Sequence, residues 1–495
     1  MNKDFIRPLI IAILAVFFTG VLAWFIPEHQ NHIFTIRKMP RLLGSNAHSA
    51  ELDGIFGEIK SLTHTQKELL PFIKKLEAFE PTHSKGSRSF DHNLRIAYYG
   101  DSIIEGDVIT APLRYFLQGQ YGGKGVGFVP ITSIVSDYRR TIKHEFSRNW
   151  ESISFMTPRR SSISLGISGY TFIPRPYYTT IQKVEIAVID STLSPADSIN
   201  TEVPADNKIM QNDVDLHKTE TKEIRTYVNY DPWVEYRAVD IPGGAAGFGK
   251  IRLFYSKASL NSTFTCSYDS GELKSFRLNA GDGLQIIDIS PLNPVKAIKL
   301  TFPANDPVHL YGVSFDENEG VYIDNFAVRG YSGTDFQRIH SELFAQFQKA
   351  LAYDLVILQY GGNVTNSSVT SYNNYKIGMI RTISSIQEAM PDVPILIIGM
   401  HDRNVKIGSE YHTSPDIPLL IRAQSDMAAE TGAGFFNLFE AMGGYNSMQG
   451  YVNQDPPLAS KDYTHFTRHG GDKIAWMLAD FLFGKGPSEA KSEGR

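Results

Sequence analysis

Apolar positions are distributed unevenly along the chain. The first cluster is residues 9–26, an eighteen-residue run without a charge. That is near the lower limit for crossing a bilayer and longer than the apolar core of most signal peptides. Lys3 and Arg7 precede the run, so residues 1–8 are expected in the cytoplasm, 9–26 as a transmembrane anchor, and the rest outside. Val21-Leu22-Ala23 resembles a small-residue cleavage site, which leaves a cleaved signal peptide as the alternative. The run continues through Trp24-Phe25-Ile26, which favours the uncleaved anchor, and no cysteine follows to carry a lipid. Both readings predict export.

Residues 27–90 carry a broken helical spacing (Ile55, Phe56, Ile59, Leu62, Leu69, Leu70, Ile73, Leu76, Phe79) that predicts a stalk or linker helix, with packing on the main domain as the alternative. A short buried strand over 94–99 then runs into Gly100-Asp101-Ser102, followed by a helix marked by Ala111, Leu113, Phe116 and Leu117. From 131 to 320 the period changes to two. Segments 183–189, 250–255, 285–289 and 296–302 alternate as half-buried strands do, and helical periodicity is nearly absent. Beyond Gly333, helices alternate with continuous apolar strands at 355–360 and 395–399, and a last helix covers 471–483. Continuous apolar strands between helices mean a parallel sheet covered on both faces. The predicted architecture is one α/β domain, residues 91–130 and 321–485, interrupted by an antiparallel β-sandwich at 131–320. Residues 486–495 are expected to be a disordered tail.

Composition narrows the chemistry. Hydrophobic residues make up 42% and charged residues 20%, as in a core-forming protein. The net charge of −5 argues against nucleic acid as a partner. The single cysteine, Cys266, rules out an intrachain disulfide and a cysteine-based zinc cluster. No phosphate-cradling loop is present, because the glycine run at 122–127 follows a helix and lacks the Lys-Ser/Thr pair. No cofactor or metal is expected.

Ligands bind at the carboxyl ends of parallel strands, and several polar residues fall there. Ser102 follows the first strand, Asn363 follows the strand ending at Tyr360, Gly333 precedes a helix, and Asp462 and His465 precede the last helix. A serine nucleophile needs a base, the base needs an orienting acid, and the oxyanion needs donors. His469 is a second candidate base without an acid three residues earlier. Gly166-Ile167-Ser168-Gly169 imitates the Gly333 segment but lies among strands, and His401-Asp402 reads at most as site-lining.

Gly100-Asp101-Ser102, Gly333, Gly361-Gly362-Asn363 and Asp462-Tyr463-Thr464-His465 resemble the four ordered blocks of the SGNH/GDSL hydrolases. The resemblance implies a three-layer flavodoxin-like domain with Ser102 as nucleophile, His465 as base and Asp462 orienting it. The Ser102 and Gly333 amides and the Asn363 side chain would form the oxyanion hole. The chain departs from the pattern at Val364, where the family often has Asp. Ile104 separately rules out a Gly-x-Ser-x-Gly elbow. Segments 106–114, 125–130, 311–315 and 324–330 resemble exported bacterial relatives that act on peptidoglycan or surface polysaccharide. They imply a membrane-tethered carbohydrate O-acetylesterase, in the periplasm or at the cell surface, whose substrate is an acylated polysaccharide. The alternatives are an O-acetyltransferase using the same acyl-serine, partnered with a multi-spanning membrane acyltransferase, and a non-catalytic glycan-binding scaffold. The insertion is then expected to be carbohydrate-binding-like, with Tyr177, Tyr178, Tyr230 and Trp233 as candidate stacking rings or as core.

Overall fold

The computed structural model describes residues 65–78, 93–187, 219–228, 230–317 and 320–483. The anchor expected at 9–26, its flank 1–8, most of the linker and the tail 486–495 lie outside the described residues. Among the described residues no helix is long and apolar enough to cross a membrane.

The first part of the chain forms α1 (Leu70–Ala78), β1 (Leu94–Gly100), α2 (Thr110–Tyr121) and β2 (Gly127–Val129). A run of strands follows: β3 (Ile142–Phe146), β4 (Trp150–Ser154), β5 (Tyr170–Pro174), β6 (Tyr177–Ala187), β7 (Thr219–Val228), β8 (Trp233–Ala238) and β9 (Lys250–Ser256). It continues with β10 (Thr263–Tyr268), β11 (Lys274–Arg277), β12 (Gln285–Asp288), β13 (Ala297–Thr301), β14 (His309–Asp316) and β15 (Val321–Ala327). Alternation then returns with α3 (Ser341–Leu351), β16 (Leu355–Gln359), α4 (Asn373–Ala389), β17 (Ile395–Ile398), the hairpin β18 (Asn404–Ile407) and β19 (Glu410–Thr413), α5 (Ile417–Thr431) and β20 (Gly434–Phe436). The chain closes with α6 (Leu438–Met442), α7 (Ser447–Asn453) and α8 (Arg468–Phe483).

Every residue of β1 and β16 is buried, as strands covered on both faces must be. Together with β15, β17 and β20 they form a parallel sheet in the order β15-β1-β16-β17-β20. Counted along the domain, this is the doubly wound 2-1-3-4-5 order. One face packs Leu94, Ile96 and Tyr98 against Phe72 of α1, Leu113 and Leu117 of α2, and Ile474 and Leu478 of α8. The other face packs Ala97, Tyr99 and Leu358 against Phe347 of α3, Ile383 of α4 and Leu420 of α5. Of the 27–90 segment, the described residues 65–78 are docked on this domain. Leu69, Phe72 and Leu76 are buried, and the Thr65 amide donates to the Phe435 carbonyl at 2.9 Å. For these residues the packed alternative applies.

The crossover from β1 to β15 holds the antiparallel part. A five-stranded sheet, β11-β10-β13-β8-β3, faces a six-stranded one in which β12-β9-β14-β5-β4 is extended by β2 on β14. Their inner faces bury Phe172, Tyr236, Leu253, Cys266, Leu300 and Phe315. The observed fold class is the one expected: a parallel α/β sheet interrupted by an antiparallel sandwich. The six-stranded sheet begins at Gly127, a few residues ahead of the expected boundary at 131.

A buried ionic knot joins the two parts. The Arg95 guanidinium, on β1, donates through Nε and Nη2 to both oxygens of Asp324 on β15 at 2.7 and 2.9 Å, and through Nη1 to Asp316 at the end of β14 at 3.0 Å. Asp324 also accepts the Phe128 amide of β2 at 2.8 Å. A Cβ at Gly127 would lie 2.1 Å from that carboxylate, so only glycine lets β2 approach. Removing the cation leaves the buried Asp324 carboxylate without its counter-charge and leaves Asp316 with only Arg252, at 2.8 Å. Arg95→Met is therefore expected to lower the free energy of urea unfolding by about 3–5 kcal/mol; a change under about 0.5 kcal/mol would show that the knot adds no stability.

Candidate active site

The site is assembled at the carboxyl edge of the parallel sheet. β1 ends at Gly100, and the buried Asp101 side chain accepts the Ile103 amide at 3.0 Å, capping the 3-10 turn that begins at Ser102. This tight exit leaves Ser102 partly exposed while Ile103 and Ile104 are buried. Its hydroxyl lies 2.9 Å from Nε2 of His465. Nδ1 of the same ring lies 2.7 Å from Oδ2 of Asp462. Burial works against the Asp462 charge, but hydrogen bonds from the His465 ring and from the His465 and Thr464 amides hold its pKa below the ordinary value. An ionised carboxylate only accepts, so the Nδ1 hydrogen points at Asp462 and the Nε2 lone pair faces the Ser102 hydroxyl.

The acid and base share one short turn. Asp462 Oδ1 accepts the Thr464 and His465 amides, each at 3.0 Å, and Tyr463 between them takes a left-handed φ of 55°. Several groups brace this turn from behind. The Ser460 amide donates to the His465 carbonyl at 2.8 Å, and the Asn404 amide to the Tyr463 carbonyl at 3.2 Å. His401 is buried, and burial lowers its pKa to about 4. Its neutral ring donates from Nε2 to the Thr464 carbonyl at 2.9 Å. The Tyr411 ring of the β18–β19 hairpin stacks on Tyr463, with centroids 4.0 Å apart and planes 11° apart.

Gly333 and Asn363 lie at the same edge. Gly333 has φ of 90°, and a Cβ there would meet the Tyr360 ring at 2.7 Å and Met379 Sδ at 2.8 Å. Conformation and packing both demand glycine. Among the described residues, neither the Ser102 nor the Gly333 amide donates to another protein group, so both stay available as oxyanion donors. Asn363 differs from the simple expectation. Its Nδ2 group donates to Asp101 Oδ2 at 2.9 Å and to the Tyr331 carbonyl at 3.2 Å, which uses both hydrogens. An oxyanion reaches this amide only by sharing or displacing one of those bonds.

The structure thus brings Ser102, His465 and Asp462 into one hydrogen-bonded chain, with Gly333 and Asn363 beside it. His469 lines the same cleft, but His465 is the residue on the serine. Gly166 packs under the Tyr311 ring, away from the site. His401 braces the Asp462–His465 turn without lining the cleft, and Asp402 accepts Thr413 Oγ1 and the Met448 amide, each at 2.8 Å. Of the aromatic residues proposed on the insertion, the Tyr177 and Tyr230 rings pack on each other with centroids 5.1 Å apart, and Trp233 carries the Lys299 ammonium 4.3 Å from its ring. The cleft, about 1050 Å³, is lined instead by Tyr115, Tyr138 and Trp476. Sequence reasoning passed over those rings, and also the bracing roles of Asp101 and Tyr411. The Gly-Asp-Ser tripeptide was a signal for Asp101; the Tyr411 stack had none.

No protein-family model and no curated protein matches the chain. It is similar to the solved structure of a peptidoglycan O-acetylesterase, at 21% identity and a TM-score of 0.58, covering 83% of this chain and 95% of that one. An acetylxylan esterase from Geobacillus stearothermophilus is matched at 16% identity and a TM-score of 0.24, over 33% of this chain and 73% of that one. A family two carbohydrate esterase from Clostridium thermocellum is matched at 12% and 0.25, over 52% and 94%. The last two scores carry no argument. The first likeness extends across both the parallel domain and the insertion, and it shows the fold. The resemblance to SGNH/GDSL hydrolases holds at that level.

Two expectations follow from the geometry. Tyr411→Ala removes a ring–ring contact of about 0.5–1.5 kcal/mol from the back of the Asp462–His465 turn and should lower kcat about tenfold with little change in KM, while Tyr411→Phe restores it. Equal effects of the two substitutions would assign the residue another role. Burial raises the Asp101 carboxyl to about 6, against the Ile103 amide, His465 and Asn363, which pull it down. A raised carboxyl takes up its proton in the folded state first. Stability should therefore rise as pH falls from 6 towards 4, by about 2–3 kcal/mol relative to Asp101→Asn, and stay level above pH 6. Parallel pH profiles of thermal unfolding for the two proteins would refute this.

Proposed function

We propose that this protein is a serine esterase that removes O-acetyl groups from cell-wall or surface polysaccharide through an acyl-serine. The observation that carries the reading is the unbroken chain from Ser102 Oγ through His465 to Asp462, with distances of 2.9 and 2.7 Å. Ser102 Oγ attacks the ester carbonyl carbon as its proton passes to His465 Nε2. The carbonyl oxygen becomes an oxyanion facing the Ser102 and Gly333 amides and the Asn363 edge. Collapse breaks the bond to the sugar oxygen, which takes the proton from His465 and leaves an acetyl group on Ser102. Water then gives a proton to His465 and its oxygen to the acetyl carbon. Acetate departs and the serine recovers its hydrogen.

Export to the cell surface or periplasm, with residues 9–26 as the anchor, belongs to the same proposal and is supported by the charge and hydropathy of that segment. Passing the acetyl group to a sugar hydroxyl instead of water needs the same nucleophile and base, so the acceptor has to be measured.

The test uses the full chain, a small acetyl ester and intact mass spectrometry, with an oligosaccharide present in a second arm. One added acetyl group on the wild type and none on Ser102→Ala is expected, with acetate release falling by about three orders of magnitude or more in the variant. Free acetate with an unmodified sugar means esterase, and an acetylated sugar means transferase. Retention of the rate by Ser102→Ala would overturn the reading.

A further inference from the structure

An acetyl group fills only a small part of a cleft of about 1050 Å³. The rest of that space is there for whatever bears the acetyl group. One wall comes from the parallel domain, through Ser102, Tyr115 on α2, and α8. The other comes from the insertion, through Tyr138, Arg140 and Thr141. The insertion wall is held close to the nucleophile. Gly106, with φ of 64°, has the Tyr138 backbone where its Cβ would be, at 3.1 Å. Behind it the buried Asp107 accepts Arg139 Nε at 2.9 Å and, more weakly, Arg114 Nη1 at 3.3 Å.

Tyr115 and Tyr138 line the same cleft and are 53% and 69% exposed. Flat rings with wet edges suit the apolar faces of sugars. The charges around them are more specific. Glu105 is tied to Arg329 at 2.7 Å, and Asp107 sits between Arg114 and Arg139, so these acids are already neutralised. Arg140 and Arg468 are exposed and make no ion pair or hydrogen bond among the described residues. Asp472, beside His469, is the remaining free acid in the lining. Arg468 also stands at the first position of α8, where the helix dipole disfavours a cation. Helix stability therefore does not account for it.

We propose that the cleft binds a glycan bearing carboxylates, with Tyr115 and Tyr138 against its sugar rings and Arg140 and Arg468 paired with its acid groups. The insertion then supplies half of the polymer-binding surface. This rests on the esterase reading for the role of Ser102, but not for binding itself. Two sources share this chemistry, a carboxylate on the sugar ring, as in a uronate, and one on an ether-linked acid or peptide.

The test is calorimetric titration of the full chain carrying Ser102→Ala, so that binding is read without turnover. The probes are an oligogalacturonate, an N-acetylmuramoyl-peptide oligosaccharide and neutral xylohexaose. At least one acidic probe should bind about tenfold tighter than xylohexaose, and added salt should erode the preference. Which acidic probe it is identifies the source of the carboxylate. Adding Arg140→Gln and Arg468→Gln should weaken the acidic probe about tenfold and leave xylohexaose unchanged, whereas Tyr138→Ala should weaken both classes. Equal affinity for acidic and neutral probes, or an unaltered acidic affinity without the two arginines, overturns the inference. A carboxylate preference in a protein whose wild type releases no acetate would overturn the esterase reading and leave this one standing.

Discussion

Arg95 is buried on β1, seven residues before Ser102, where burial strips its charge of solvent and leaves it to be met by protein groups. Its guanidinium takes Asp324 from the edge strand and Asp316 from the sandwich, while Asp324 also holds the first strand of the six-stranded sheet. A buried cation tolerates few arrangements of its partners, because each misplaced carboxylate leaves a charge uncompensated. The knot therefore sets how the insertion leaves and re-enters the α/β domain. The strand exits that carry Ser102 and Gly333 belong to the two strands the knot clamps together, β1 and β15.

A second buried knot lies on the other side of the serine. Asp107 accepts Arg114 and Thr110 from α2 and Arg139 and Thr141 from the insertion. Burial alone would raise its pKa, but the two arginines and the two hydroxyls hold it well below the usual carboxylate range. Ser102 thus sits on a short turn anchored at both ends by charge networks that reach into the sandwich. The insertion is part of the framework of the site. A side chain on a turn held this way has little orientational freedom left to lose.

Much of this was legible in the sequence, for physical reasons that differ by residue. Strands covered on both faces leave unbroken apolar runs, so β1, β16 and β17 stood out, and the period-two segments marked the sandwich. The polar residues at the ends of those runs were conspicuous because strand exits at a sheet edge have few structural uses for them. What stayed hidden depends on contacts between distant segments. The stack of Tyr411 on Tyr463 joins residues 52 positions apart, and no periodicity encodes it. Tyr115 and Tyr138 look like any surface tyrosines until the fold places them in one cleft. Asn363 was found by its block, but the commitment of both its hydrogens to Asp101 and the Tyr331 carbonyl is a matter of tertiary geometry. Of the aromatics expected on the insertion, Tyr177 and Trp233 lie in strands and Tyr230 just outside one, and these three are taken up by a neighbouring ring or cation.

The placement of acid and base on one turn divides the geometric problem unequally. Asp462 accepts two amides of its own turn and the imidazole three residues on, so the orientation of the ring is decided within four residues. That local unit is insensitive to small shifts elsewhere in the molecule. The distance from His465 Nε2 to Ser102 Oγ is different, because it spans 363 residues and depends on how α8 and the Asp462–His465 turn dock against β1 and α2. Gly471 allows that docking: its missing Cβ would lie 2.1 Å from the Val108 carbonyl, just beyond the turn that begins at Ser102. The His401 and Asn404 contacts hold the turn from the opposite side. The geometry of the Ser102–His465–Asp462 chain therefore reduces to one long-range distance, and the surrounding packing, from the Arg95 knot to the Tyr411 hairpin, keeps that distance near hydrogen-bond length.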